Sequence, residues 1–296
     1  MLTPWLEQDS AAGLLADFSA AADVDLRAMG TVADAETIKD TAVAQPLIVA
    51  TSLLALDRLQ QALGPLSTWA GAVAGHSVGE FAAVAAAGVL DPAEAIRLVA
   101  IRGRAMAAAA AEESTGMAAV MGGEPEQVLT ALEALDLVGA NINGAGQIVA
   151  AGSTGAIEQL RADPPAGTRV VPLAVAGAFH TRYMAPATEP VATATGSLSP
   201  ADPAITLLSN ADGQPVHDGA AALTRLADQI TAPVRWDLCQ QYLADDGVRL
   251  VIELAPGGVL TGLARRALPG VQTVAIKKPD DVEQAVAAVQ AIKEDQ

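Results

Sequence analysis

Gly71-Ala72-Val73-Ala74-Gly75-His76-Ser77-Val78-Gly79-Glu80-Phe81-Ala82-Ala83-Val84 is the stretch on which the reading of the chain turns. A short apolar run enters a turn of the form Gly-x-Ser-x-Gly, and an alanine-rich segment leaves it. Strand, tight turn and helix are the context in which this pentapeptide forms a nucleophile elbow. The glycines are required because so tight a turn has no room for side chains beside the serine. A helix beginning at Val78 aims free N–H groups and a positive dipole end at any oxyanion that develops there. The competing reading, a glycine-rich turn with a capping serine, fits the flanking strand and helix less well.

Working outward, residues 46–63 form an apolar helix and Glu80–Ala87 continues the segment after the turn. Asp91 and Pro92 then give a capping carboxylate followed by a first-turn proline, which opens a helix to about Ala110. A different rhythm occupies 115–176. Strand Gly116–Met121, helix Glu124–Leu135, strands Leu137–Asn143 and Gln147–Ala151, helix Thr154–Arg161 and strand Arg169–Val175 make a βαββαβ order, which is ferredoxin-like. It reads as an insertion, because the earlier patterning resumes with strands at Ile205–Ser209, Val248–Leu254 and Val271–Ile276 and a last helix opened by Pro279. The unbroken apolar run 248–254 suits a parallel sheet. The expected fold class is α/β: a large discontinuous subdomain with a parallel sheet (1–113 and 178–296) and a small ferredoxin-like one (114–177).

The 296 residues fit two average domains or one α/β unit carrying an insert. An apolar share of 51% with only 17% charged residues excludes a disordered chain. Aromatics are 3%, so the core is built of Ala, Val, Leu and Ile. Seventeen basic against 34 acidic residues give a net charge of −17, which argues against nucleic acid and anionic membrane as partners. One cysteine, Cys239, and three histidines exclude a disulfide and leave little material for a metal site, so none is expected. The longest apolar run, Pro46–Leu56, is too short to span a bilayer, and the N-terminus lacks a signal pattern. The chain reads as soluble and cytoplasmic.

A serine nucleophile needs a base. His180, past a strand end in Val-Ala-Gly-Ala-Phe-His-Thr, and His217, in a polar turn, are the candidates; His76 adjoins the serine and should point away from it. Arg102 is more telling. Steps of 100° place it between Leu98 and Met106 beside Val99, whereas Arg97 and Arg104 fall on the polar side. A guanidinium in an apolar stripe is costly unless an anion meets it. That anion is either an internal carboxylate or the carboxylate of a substrate, for which the arginine fork is suited.

Gly75-His-Ser-Val-Gly-Glu80, with Arg102 in Ile-Arg-Gly-Arg-Ala-Met 25 residues after the serine, resembles the malonyl-CoA:acyl carrier protein transacylase family. So do Thr115-Gly-Met-Ala-Ala-Val, Asn143 with Gln147-Ile-Val-Ala-Ala-Gly, Ala178-Phe-His180, Gln229 before Pro233-Val-Arg-Trp236, and Pro256-Gly-Gly-Val-Leu-Thr-Gly-Leu. The likeness runs along nearly the whole chain in the family's order.

The resemblance implies an α/β-hydrolase-like large subdomain and a discrete acyltransferase. Ser77 would attack the malonyl thioester of coenzyme A, and the phosphopantetheine thiol of an acyl carrier protein would then take the acyl group. It implies His180 as base, the Gln229 main-chain carbonyl as its orienting partner, and the Val78 N–H as oxyanion donor. Arg102 would hold the malonyl carboxylate, with Gln45, His76, Asn143, Gln147 and Phe179 also at the substrate. Gln45 reads equally well as a helix-start side chain. Phe179 goes with malonyl over methylmalonyl. Arg265 and Arg266 are the basic pair implied for carrier docking, although cations also suit the end of any helix. No cofactor is implied beyond the coenzyme A thioester as substrate. One departure stands out: the family's initial strand and Gly-Gln-Gly segment, which supplies a second oxyanion N–H, have no counterpart after Met1, so an upstream extension is expected. The alternatives are a serine esterase or thioesterase, an acyltransferase serving a polyketide synthase, and an inactive carrier scaffold.

Overall fold

Long alanine-rich helices alternating with short apolar strands can bury their apolar faces only in layers. The computed structural model describes residues 1–7 and 9–294. After a short 3-10 turn at Thr3–Glu7 come helices α1 (Asp9–Ala22), α2 (Leu26–Thr31), α3 (Ala35–Lys39) and α4 (Thr41–Leu63), none of which except α4 is patterned strongly enough to be read in the sequence. Strand β1 (Ala72–Val73), α5 (Gly79–Ala86) and α6 (Pro92–Ala110) follow. Next come β2 (Thr115–Gly122), α7 (Pro125–Ala134), β3 (Val138–Gly144), β4 (Gln147–Ser153), α8 (Thr154–Ala162) and β5 (Thr168–Pro172). The remainder is α9 (Thr188–Gly196), β6 (Thr206–Leu208), β7 (Pro215–Val216), α10 (Gly219–Asp228), β8 (Val234–Arg235), α11 (Trp236–Asp245), β9 (Leu250–Glu253), α12 (Val259–Ala267), β10 (Gln272–Ala275) and α13 (Asp281–Glu294).

Helix α6 starts where Asp91 and Pro92 require. Asp91 Oδ1 accepts the Ala93 N–H at 2.8 Å, and Glu94 reaches back to the Asp91 N–H in a capping box. It packs along α4, whose Leu47, Val49, Ala50 and Leu54 are buried in the main apolar core. Helix α4 is long and apolar enough to cross a membrane, yet 67% of its most apolar stretch is buried within the fold. The two helices approach closely because α6 carries Gly103: a Cβ there would stand 2.9 Å from the Thr41 carbonyl oxygen. That approach sets Gln45 beside Arg102.

Four strands of the middle segment form an antiparallel sheet in the order β5-β2-β4-β3, the ferredoxin-like arrangement, with α7 and α8 packed on it over a separate apolar cluster. A fifth strand, β8, joins β3 in parallel with Asn141 opposite Val234. Two residues are too few to show periodicity, so β8 could not be read from the chain. The parallel sheet of the large part is divided. Strand β1 pairs in parallel with β6, which β7 flanks antiparallel, and β9 pairs with β10 in parallel as a separate ribbon. With strands of two to four residues, the enclosing helices hold these pairs together more than the ladders do. Strand β1 thus ends beside β6, and the elbow leaves their shared edge.

Candidate active site

The turn after β1 is as tight as its glycines suggest. A Cβ on Gly75 would lie 2.0 Å from the Gly79 carbonyl oxygen and 2.3 Å from the Glu80 nitrogen. Ser77 itself has φ +51°, the left-handed region that L-residues enter only when their surroundings enforce it. This conformation lifts Oγ out of the turn at the N-terminus of α5. The Val78 N–H, beside the hydroxyl, has no acceptor among the described residues.

Ser77 Oγ lies 2.7 Å from His180 Nε2. His180 is 3% exposed, with φ +61°, on the segment that returns from β5. Its Nδ1 is 2.8 Å from the Gln229 carbonyl oxygen. A carbonyl can only accept, so Nδ1 carries the proton and Nε2 offers a lone pair to the serine hydroxyl. Gln229 is the C-cap of α10, where carbonyls lack helical partners and the dipole is negative, so the main chain supplies what an acid supplies elsewhere. The Gln229 side chain fixes this corner by donating to the Ala232 and Pro233 carbonyls at 2.7 and 2.9 Å. Burial first, then the Arg102 charge, pushes the His180 imidazole down to about 3. The ring therefore rests neutral, as a base must.

Arg102 is 2% exposed and reaches the same hydroxyl, Nη2 donating to Ser77 Oγ at 3.1 Å and Nη1 to Gln45 Oε1 at 2.7 Å. Its guanidinium lies over the Phe81 ring, 5.6 Å from the centroid. No carboxylate of the described residues comes within ion-pair distance, and Nε has no partner. The internal salt bridge, one of the two anions open from sequence, is thus not formed. Burial brings the guanidinium down to about 10, opposed by the nearby Glu80 carboxyl, so it stays cationic.

His76 turns away from the serine, as neighbours at an elbow do. Its Nε2 meets Asn143 Oδ1 at 2.8 Å and its ring packs edge-on against Trp236. Asn143 Nδ2 donates to Gln147 Oε1 at 2.8 Å, so these three residues link the elbow to β3 and β4. Phe179 is half-buried between the main core and the sheet. His217 is exposed, and no hydrogen bond joins it to the elbow among the described residues. Arg265 and Arg266 are exposed on the last turn of α12, Arg265 Nε donating to Thr273 Oγ1 at 3.0 Å.

A family model described as acyl transferase domain matches residues 9–293. The malonyl CoA-acyl carrier protein transacylase of Mycobacterium tuberculosis is 53% identical over 287 residues, covering 96% of this chain and 94% of that protein. That of Escherichia coli K12 is 33% identical, covering 92% and 89%. The crystal structure of the M. tuberculosis enzyme superposes with a TM-score of 0.93 at 52% identity, over 96% of this chain and 94% of that one. The chain belongs to the malonyl-CoA:acyl carrier protein transacylase family. It is an acyltransferase. A further neighbour, a malonyl-transacylase in complex with its type II polyketide synthase acyl-carrier protein, has a TM-score of 0.89 at 28% identity over 97% and 94% of the two chains.

The acyltransferase also holds site residues that the sequence did not single out. Asn210, just past β6, bonds to the Gly75 carbonyl and the Ser77 N–H of the elbow, and Glu80 accepts the Asn210 N–H at 2.9 Å. Burial pushes the Glu80 carboxyl up to about 8. Glu80 did leave a trace, a lone carboxylate opening an apolar alanine-rich helix. Asn210 left none, sitting in what reads as an ordinary Asn-Ala-Asp-Gly turn.

Proposed function

We propose that the chain transfers malonyl from malonyl-CoA to the phosphopantetheine thiol of an acyl carrier protein through an ester on Ser77. One observation carries the reading: a buried arginine with no carboxylate partner among the described residues stands 3.1 Å from the hydroxyl of an elbow serine. A neutral acyl chain has no use for that cation, whereas the free carboxylate of malonyl matches its fork. The relatives named as malonyl transacylases support the same substrate and carrier.

In this mechanism Ser77 Oγ attacks the thioester carbonyl carbon while its proton passes to His180 Nε2. The tetrahedral oxyanion lies against the Val78 N–H. The C–S bond breaks, the His180 proton goes to the departing coenzyme A sulfur, and malonyl remains on the serine. The carrier thiol then gives its proton to His180 and attacks the ester, and the serine recovers the proton as the thioester forms. The Gln229 carbonyl orients the ring and favours the transient imidazolium. Arg102 holds the malonyl carboxylate with Gln45 bracing the guanidinium; Phe179, His76, Asn143 and Gln147 line the approach. Arg265 and Arg266 meet the acidic carrier. The separate apolar clusters support division into 1–113 with 178–296 and 114–177, with the elbow where the two meet.

The test mixes the protein with malonyl-CoA and a carrier bearing its phosphopantetheine arm, following each product by mass spectrometry. Malonyl-carrier is expected, together with a malonyl adduct on Ser77 that Ser77→Ala lacks. Free malonate as the sole product would make the protein a hydrolase, and an adduct on another residue would overturn the mechanism.

A further inference from the structure

We infer that Asn210 is a positioning residue for the nucleophile: its side-chain amide clamps the two peptide groups on either side of His76, from the entry of the elbow to its serine, and Glu80 fixes Asn210 in turn. The inference rests on the reading of Ser77 as the acylated residue and adds what keeps that serine in place.

The geometry is specific to an asparagine. Oδ1 accepts the Ser77 N–H at 2.7 Å and Nδ2 donates to the Gly75 carbonyl at 2.7 Å. One rigid planar group therefore spans the turn from its entry to its apex. Asn210 is fully buried and follows β6, the strand paired in parallel with the β1 that feeds the elbow. Its own N–H donates to Glu80 Oε1, and Glu80, 5% exposed, stands in the first turn of α5. Strand end, elbow and helix start are thus joined through two side chains that never touch the substrate.

The need arises from Ser77. Its left-handed backbone is uphill and persists only where neighbours over-determine it. The Ser77 N–H precedes the helix and gains no helical partner, so without Asn210 it would be a buried orphan beside an unpaired Gly75 carbonyl. Relaxation of either peptide would swing Oγ from His180 Nε2 and turn the Val78 N–H. Aspartate would set an acceptor against the Gly75 carbonyl, and alanine would leave both groups unmet.

The experiment uses the full chain, Asn210→Ala, Asn210→Asp, Glu80→Ala and Glu80→Gln. Competent serines are counted with a fluorophosphonate and the labelled site identified by mass spectrometry, then kcat and KM for malonyl-CoA are measured per labelled serine. A merely structural asparagine would lower the number of competent molecules and leave the rate of each one unchanged. The positioning role predicts a fall in kcat per labelled serine of about a hundredfold, the cost of a displacement near 1 Å. KM for malonyl-CoA should hold, and the pH profile should keep its shape because the burial of His180 and its contact with the Gln229 carbonyl are untouched. Glu80→Ala should lower kcat, and Glu80→Gln, which keeps an acceptor, should recover most of it. A fall of tenfold or more in Asn210→Asp supports the inference, and a smaller one overturns it, whatever the yield of Asn210→Ala. A wild-type label on a residue other than Ser77 would instead overturn the underlying acyl-serine reading before any variant is compared.

Discussion

Replacing Arg102 by alanine should convert a malonyl-selective transferase into a weakly selective one. In the resting site the guanidinium is buried, cationic and without an ion pair among the described residues, with one nitrogen 3.1 Å from Ser77 Oγ. A malonyl carboxylate there gains two charge-assisted hydrogen bonds, each about 1.5–3 kcal/mol. Coulomb attraction at about 4 Å and an effective dielectric near 20 gives a similar total of about 4 kcal/mol. At ~1.4 kcal/mol per decade, kcat/KM for malonyl should fall about a thousandfold. Acetyl has no carboxylate, and its transfer should lose only the contact between Arg102 and Oγ, about 1 kcal/mol or fivefold. The malonyl-to-acetyl ratio should therefore drop by about two hundredfold. Arg102→Lys keeps the charge without the fork and should fall between wild type and alanine. The assay is carrier acylation from each coenzyme A ester under identical conditions, with folding checked by circular dichroism. Equal losses for both substrates would make Arg102 a structural residue, and the carboxylate-clamp argument would fail.

His180 yields a pH prediction. The folded ring titrates at about 3 against an ordinary 6.5, because burial and then Arg102 disfavour its charged form. The unfolded chain takes up that proton near 6.5 and the folded chain does not, so this group erodes stability as pH falls from about 6.5 toward 3 and contributes nothing above. Urea unfolding of wild type against His180→Ala over that interval should show a steeper acid loss for wild type; parallel curves would refute the buried neutral ring. Phe179→Ser should narrow the preference for malonyl over methylmalonyl, by about 1–3 kcal/mol if the ring is what crowds the extra methyl. An unchanged ratio in competition between the two coenzyme A esters would place that selectivity elsewhere.

The elbow was legible because its constraints are local: glycine, serine and the helix that follows are contiguous, and no distant partner is needed to recognise them. Arg102 was legible through periodicity, since a cation on an apolar stripe contradicts its surroundings in the sequence itself. The choice between His180 and His217 was not settled by residues alone, because the deciding partner is a main-chain carbonyl 49 residues away. Asn210 and Glu80 lie 130 residues apart and act through a backbone N–H, which no side-chain pattern encodes. Strand β8 and the splitting of the parallel sheet escaped for a related reason. Strands of two residues have no period, and long-range packing decides where they pair.

The partner of His180 is a peptide oxygen, and this makes the site hard to dissect by conventional means. Alanine scanning would pass over position 229 as a functional group, since every amino acid carries the same carbonyl; loss on substitution there would report only the slackened corner at Ala232 and Pro233. A backbone ester one residue along would weaken the acceptor itself. An oxygen of this kind also has no proton to gain between neutral and acid pH, so the ring keeps its orientation at acidities that would silence a carboxylate. Its contribution belongs to the path of the chain at the end of α10.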